Sequence, residues 1–134
     1  MLMLTLDASE KIIAAARMKA ESIGQPMNIA VVDEGGNLLA FVRMDEAWRG
    51  SIDIAINKAW TSRAFDIETG KLSKLAQPGE DFYGIHASNH GRVMIFAGGV
   101  PIKQSGLVVG AIGVSGGTGD QDQAVAEAGA SYFR

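Results

Sequence analysis

The sequence predicts an α+β fold in which helices flank a central antiparallel sheet of about five strands, in the order α-β-β-α-β-β-β-α. Apolar residues recur at helical spacing in two stretches before residue 65 and in a third after residue 120. Short runs rich in β-branched residues lie between these stretches, separated by glycine-containing turns. Because 134 residues can bury one core but not two, we expect a single domain over residues 1–134.

The first half of the chain is expected to hold a helix followed by a β-hairpin. Asp7 and Glu10 have the spacing of a capping box, and Gly24-Gln25-Pro26 ends the helical periodicity. The segment 34–37 has the glycine and asparagine content of a tight turn between two apolar runs. The expected bounds are 8–23 for the helix, and 27–33 and 38–44 for the two strands.

A second helix is expected over 51–65, where apolar residues from Ile52 to Trp60 share one face. A long irregular segment should follow over 66–89, with a helical turn at 69–75 and turn signals at Gln77-Pro78-Gly79. Irregular excursions of this length in small domains are often functional or contact a neighbouring subunit.

Three further strands and a C-terminal helix complete the predicted fold. The strands are expected at 92–97, 100–104 and 107–115, with Ser105-Gly106 as a tight link between the last two. Asp120 and Gln123 have the spacing of a second capping box, which predicts that the last helix begins there.

The composition excludes several classes of function. The net charge of −3 is scattered along the chain, so no basic stripe is present for a nucleic acid partner. No apolar run is long enough to cross a membrane, and the absence of cysteine excludes disulfides and thiolate chemistry. The first seven residues lack the features of a secretory signal, which predicts a cytoplasmic protein.

The segment Gly113-Val-Ser115-Gly-Gly117 matches the nucleophile elbow of α/β-hydrolases and lies between a predicted strand and a predicted helix. Both histidines precede Ser115, whereas the base histidine of that fold follows the serine, so a serine hydrolase is disfavoured. The same glycines could instead present backbone N–H groups to an anion at a helix start, or simply let the chain turn.

Three other features could bind a ligand or a partner. His86 and His90 have the spacing of a metal or haem ligand pair, although glycines on both sides make a shared helix doubtful. Lys58 lies beside the apolar face of the second helix and could bind an acidic group, or could extend its stem along the surface. Trp48, in an acidic loop, is expected to be covered by a ligand or a second subunit.

Much of the chain resembles the GlcG/HbpS family, especially the C-terminal domain of PduO-type proteins. The resemblance implies a profilin-like antiparallel sheet flanked by helices, homo-oligomers as large as octamers, and haem binding in several members. Some members are exported haem-handling or redox-sensing proteins, and others are encoded with glycolate, propanediol or glycerol catabolism. The resemblance is carried by Val32-Asp33-Glu-Gly-Gly36-Asn37, Arg43-Met44-Asp45, Ser51-Ile-Asp53, Asn57-Lys58-Ala59, Gln77-Pro78-Gly79, Tyr83-Gly84, Ile95-Phe-Ala-Gly98-Gly99-Val-Pro101-Ile102 and Val109-Gly-Ala-Ile-Gly113-Val-Ser115-Gly-Gly117.

The resemblance also suggests which residues line a pocket or a subunit contact. Haem iron accepts imidazole, phenolate and thioether ligands, which leaves His86, Tyr83 and Met44 as axial candidates, with His86 as the metal ligand of choice. Lys58 or Arg43 could pair with the haem propionates. The further pocket positions are Gly98, Gly99, Pro101, Gly113, Ser115 and Gly116.

The leading expectation is therefore a cytoplasmic, homo-oligomeric binding protein for haem or a related tetrapyrrole, without catalytic residues, accessory to diol, glycerol or glycolate catabolism. One alternative is an enzyme or binder for a small carboxylate, in which the 113–119 backbone and Lys58 hold the carboxylate and His86 handles a proton. The other is a structural subunit that stabilises a partner enzyme.

Overall fold

The computed structural model describes residues 3–133, which form a four-stranded antiparallel sheet with helices on both faces. The strands lie side by side in the order β2-β1-β4-β3, so β1 and β4 are central and β2 and β3 are the edges. The elements are α1 (Leu6–Ser22), β1 (Asn28–Val32), β2 (Leu38–Arg43), α2 (Gly50–Phe65), α3 (Thr69–Leu75), β3 (Gly99–Gln104), β4 (Leu107–Ser115) and α4 (Gly119–Ala130), with 3₁₀ turns at Ile85–Ala87, Asn89–Gly91 and Ser131–Phe133.

The sheet separates two hydrophobic clusters, because successive side chains of a strand point to opposite faces. The larger cluster joins α1 and α4 to one face, and includes Ile12 and Val125. The smaller one joins α2 to the other face through Ala55 and Ala59. Within residues 3–133, no helix combines the length and the apolar character needed to cross a bilayer.

The predicted strand at 92–97 is wrong, so the sheet has four strands rather than about five. This segment is apolar, but its backbone bonds to a side chain of α2 instead of a neighbouring strand. The Thr61 hydroxyl donates to the Arg92 carbonyl (3.2 Å) and accepts from the Met94 N–H (3.0 Å). The element order is therefore α-β-β-α-α-β-β-α, with the predicted helical turn at 69–75 confirmed as α3.

The N-caps of α1 and α4 lie two residues earlier than predicted, and of these two helices only α4 has a capping box. The N-cap of α1 is Thr5, whose hydroxyl accepts from the Ala8 N–H (3.1 Å), and Asp7 lies inside the first turn. The N-cap of α4 is Thr118, which forms a reciprocal capping box with Gln121. In both helices a threonine provides the cap and an acidic residue follows in the first turn, where its negative charge is stabilised by the positive end of the helix dipole.

The close approach of α2 to β4 positions the candidate site. A Cβ at Gly113 would collide with the Ala55 carbonyl and the Ala59 N–H, so the helix backbone lies directly on the strand backbone. This approach brings the second and third turns of α2 against β4 near its C-terminal end, where the glycine-rich turn into α4 begins.

Candidate functional site

A cleft of about 420 Å³ lies where β4 ends and where α2 and α4 begin. Its polar side is formed by Ser51 and Lys58 of α2, Ser115 of β4 and Asp122 of α4. Its apolar side is formed by residues that include Trp48, Ile54 and Phe96. The volume is within the range of about 300–1,000 Å³ that is usual for small-molecule sites.

The polar side of the cleft is built around a buried ion pair. Lys58 is 2% exposed and Asp122 is 4% exposed. Lys58 Nζ donates to Asp122 Oδ2 (2.9 Å) and to the Val114 carbonyl (2.8 Å), and Asp122 Oδ1 accepts from the Gly117 N–H (2.9 Å). The pair therefore links α2, the end of β4 and α4. The alternative in which Lys58 extends its stem along the surface is wrong.

Burial shifts the pKa values of both partners toward their neutral forms. It lowers the pKa of the Lys58 ammonium, and the attraction of Asp122 opposes that change. Burial likewise raises the pKa of the Asp122 carboxyl, against the opposing influence of Lys58 and of the Gly117 N–H. Each group thus opposes the shift of the other toward its neutral form.

Two glycines allow close backbone approaches around the cleft. Gly98 has φ +123°, and a Cβ there would lie 2.5 Å from the Val114 carbonyl oxygen and 2.9 Å from Lys58 Nζ. Gly116 has φ +147°, and its Cβ would lie 2.8 Å from the Pro26 carbonyl oxygen. Both positions combine a backbone conformation that favours glycine with a lack of space for any side chain.

The structure brings together part of the predicted pocket. Lys58, Ser115 and Gly116 line the cleft, and Gly98 lies against Lys58. The other three predicted positions lie elsewhere. Gly99 donates to the Thr69 hydroxyl (2.8 Å), Pro101 lines a small cavity beside α3, and Gly113 lies beneath α2.

The haem-ligand candidates lie outside the cleft, in two places. Tyr83 and His86 are exposed in the irregular segment before β3, with their rings edge to face at 6.1 Å between centroids. Arg43, the last residue of β2, and Met44, which follows it, line a separate cavity that also includes Arg17. His86 is therefore not placed to handle a proton for a ligand held by Lys58 and the 113–119 backbone.

The described residues do not support a histidine pair or a serine hydrolase. His86 and His90 belong to separate 3₁₀ turns, and His90 has φ +58°. Across residues 3–133 no three histidine or acidic side chains form a cluster that could hold a metal ion. Ser115 does lie between a strand and a helix, but none of the described residues lining its cleft is a histidine.

Sequence reasoning missed Asp122 and Ser51 as members of the cleft. A lysine beside an apolar helix face requires an opposite charge if it is buried. That requirement did not select Asp122, because several acids follow the glycine-rich segment and the pair spans 64 positions of sequence.

A family model described as haem-degrading protein HbpS-like matches residues 4–131. The chain belongs to the HbpS-like family. GlcG of Escherichia coli is 34% identical over 84% of the chain and 81% of its own length, which confirms the GlcG/HbpS resemblance. The HbpS-like family thus covers nearly the whole sequence.

Three solved structures share this fold over nearly the whole chain. Protein ORFY of Klebsiella pneumoniae is 40% identical with a TM-score of 0.95, covering 99% of this chain and 92% of its own. A PduOC–haem complex is 30% identical with a TM-score of 0.94, covering 99% and 96%. The HbpS structure is 35% identical with a TM-score of 0.87, covering 100% and 92%.

Two sequence relatives from Citrobacter freundii differ in how much of their own length this chain matches. A 15.0 kDa protein from the dhaT-dhaS intergenic region is 42% identical over 97% of this chain and 92% of its own length. The corrinoid adenosyltransferase PduO is 36% identical over 92% of this chain, which spans only 37% of PduO. The second similarity therefore concerns one part of PduO.

Proposed function

We propose that this HbpS-like chain is a homo-oligomeric haem-binding protein. The observation that carries the proposal is the structural match to the PduOC–haem complex, with a TM-score of 0.94 over 99% of this chain. When bound, haem supplies an iron centre whose behaviour is set by its axial ligand and by the surrounding side chains.

The residues of one surface fit a haem group chemically. This surface, the loop patch, consists of Phe65, Leu75 and Phe82, which line one shallow cavity, together with Tyr83 and His86, which follow Phe82 in the irregular segment. All five side chains are exposed, and the apolar members can cover a macrocycle while an imidazole or a phenolate reaches the iron. A contiguous apolar surface of this kind usually marks a ligand or partner site.

His86 is a better candidate for the iron ligand than Met44. The His86 ring is exposed, so its nitrogens are accessible. The Met44 side chain is half-buried and packs against the larger hydrophobic cluster, so ligation would require it to leave that contact. Arg43 is exposed and can pair with a propionate, whereas Lys58 is buried with Asp122 and presents no ammonium group to the surface.

The proposal is tested by titrating haem into the wild type, His86→Ala, Tyr83→Phe and Met44→Leu, with the Soret band as the readout. We expect saturable binding by the wild type, with a changed Soret position in His86→Ala and no change in Met44→Leu. An unchanged spectrum in His86→Ala and Tyr83→Phe would refute the loop patch as the ligand source. Absence of saturable binding by the wild type would refute the function.

Exposed aromatic side chains support a homo-oligomer. Trp48 is 68% exposed, and Phe96 and the loop patch add further apolar surface that a second subunit could cover. Sedimentation velocity at several concentrations should show a species larger than 14.1 kDa. A single monomeric species across the range would exclude this part of the proposal.

The similarity to one part of PduO supports an accessory role beside corrinoid-dependent catabolism of diols or glycerol. Deletion of the encoding gene should slow growth on such substrates without abolishing it, because an accessory protein does not perform the main reaction. Growth unchanged on every diol or glycerol medium would contradict this role.

A further inference from the structure

We propose that the cleft between α2, β4 and α4 is a binding site for a small organic carboxylate. The cleft shares no residue with the loop patch, so this inference is independent of haem binding. It rests on unpartnered hydroxyl groups, on the charge state of the ion pair and on the shape of the cleft.

Two buried serines face the cleft without a protein partner. Ser51 is 3% exposed and Ser115 is 5% exposed, and both line the cleft. No side-chain hydrogen bond within residues 3–133 involves either hydroxyl, and neither oxygen is among the fully enclosed unpartnered atoms, so both open onto the cleft. Nearly all buried polar groups in folded proteins are hydrogen-bonded, and these two hydroxyls are donors that a ligand in the cleft can satisfy.

Lys58 adds a third donor to the two hydroxyls. Its ammonium group has three N–H bonds, of which Asp122 and the Val114 carbonyl accept two. The remaining N–H has no acceptor among the described residues, and Lys58 lines the cleft. Gly119, at the start of α4, also lines it, so the positive end of that helix dipole faces the same space.

These donors match one carboxylate better than a phosphate. The charge of Lys58 is already balanced by Asp122, so the site offers hydrogen-bond donors and a helix dipole without net positive charge. A singly charged carboxylate can be held by such donors, whereas a phosphate dianion usually requires arginine or lysine without a counter-charge.

The apolar side of the cleft suits a hydrocarbon tail. Trp48, Ile54 and Phe96 line it, and Trp48 and Phe96 are exposed, which places the cleft opening at these two rings. The ligand therefore consists of a carboxylate that reaches Ser51, Ser115 and Lys58 and a short apolar body that lies against the rings. Its volume is limited by the cleft of about 420 Å³.

Titration of the haem-free protein with benzoate and butyrate tests the site, with tryptophan fluorescence and calorimetry as readouts. Inorganic phosphate and benzyl alcohol are the controls, because the first lacks the apolar body and the second lacks the carboxylate. We expect saturable binding of at least one carboxylate, and binding at least about tenfold weaker for both controls. The fluorescence change should vanish in Trp48→Phe, since the other tryptophan, Trp60, lies under Arg92 outside the cleft.

Two serine variants separate this site from non-specific binding. Ser115→Ala should weaken carboxylate binding by about ten- to a hundredfold, as expected for the loss of a hydrogen bond to a charged group. Ser62→Ala is the matched control, because Ser62 is also buried on α2 with an unpartnered hydroxyl but does not line the cleft. Ser51→Ala provides the same test if Ser115→Ala does not fold.

Three results would overturn the proposal. One is that neither carboxylate saturates below about 10 mM, a weaker affinity than a built site should give. Another is an equal Kd for the wild type and the folded serine variants. The third is phosphate binding as tight as carboxylate binding. Carboxylate binding retained in His86→Ala would distinguish this site from the proposed haem surface.

Discussion

Asp122→Asn should strongly destabilise the fold, because it leaves the Lys58 ammonium buried without its counter-charge. Both groups are almost fully buried, and Nζ and Oδ2 are 2.9 Å apart. Asparagine preserves the Oδ1 acceptor for the Gly117 N–H, so the loss concerns the charge pair specifically. Removing one partner of a buried pair costs about 3–5 kcal/mol, a large part of the total stability of a typical domain.

A double-mutant cycle isolates the coupling within this pair. Lys58→Met should also destabilise the fold, since it leaves the Asp122 carboxylate buried. The combined variant, Lys58→Met with Asp122→Asn, buries neither charge. Its loss in the free energy of unfolding should therefore be smaller than the sum of the two single losses by about 2 kcal/mol or more. Urea unfolding of the four proteins at pH 7, followed by circular dichroism, gives the free energies. Losses that add within about 0.5 kcal/mol would refute a coupled buried pair.

For the same variants we also predict how the free energy of unfolding depends on pH. Burial raises the pKa of Asp122 above its ordinary value of 3.8, and Lys58→Met removes the charge that opposes this shift. The folded state then binds the proton more tightly than the unfolded chain, so the added stability is present at low pH and is lost as pH rises through the folded-state pKa. Relative to the combined variant, Lys58→Met should gain stability between pH 7 and pH 4. An identical pH dependence of stability in the two variants would contradict the raised pKa of the buried Asp122 carboxyl.

Two substitutions test the fold around the cleft. Gly113→Ala should lower the free energy of unfolding by at least about 2 kcal/mol, because its Cβ would collide with the Ala55 carbonyl of α2. Gly50→Ala, with open space around its Cβ, is the control, and similar urea midpoints for both would show that the close approach is absent. Thr118→Ala should cost about 1 kcal/mol by removing the capping box with Gln121. A midpoint equal to that of the wild type would rule out this role for the cap.

The hydrophobic pattern predicted most of the secondary structure because local periodicity determines which face of an element is buried. The hairpin strands, the first two helices and the start of the last helix were expected within about two residues of their observed positions. The strand at 92–97 could not be rejected from its own sequence. Its apolar composition is typical of a strand, and the Thr61 hydroxyl that binds its backbone is about 30 residues earlier in the chain.

The cleft was only partly predictable for a related reason. The glycine-rich segment and the position of Lys58 beside an apolar face indicated a site that includes Ser115 and Gly116. The partner of Lys58 and the contribution of Ser51 depend on how α2 packs against β4 and α4. Sequence spacing alone does not contain that tertiary packing, whereas the proximity of Tyr83 and His86 follows from a separation of three residues.

The most direct test of haem binding by this chain is an absorbance titration of the wild-type protein at a fixed concentration well above Kd. The proposed function predicts that the Soret absorbance rises linearly with added haem and breaks sharply at a fixed haem-to-subunit ratio. An absorbance that follows free haem in buffer, without a break, would contradict it.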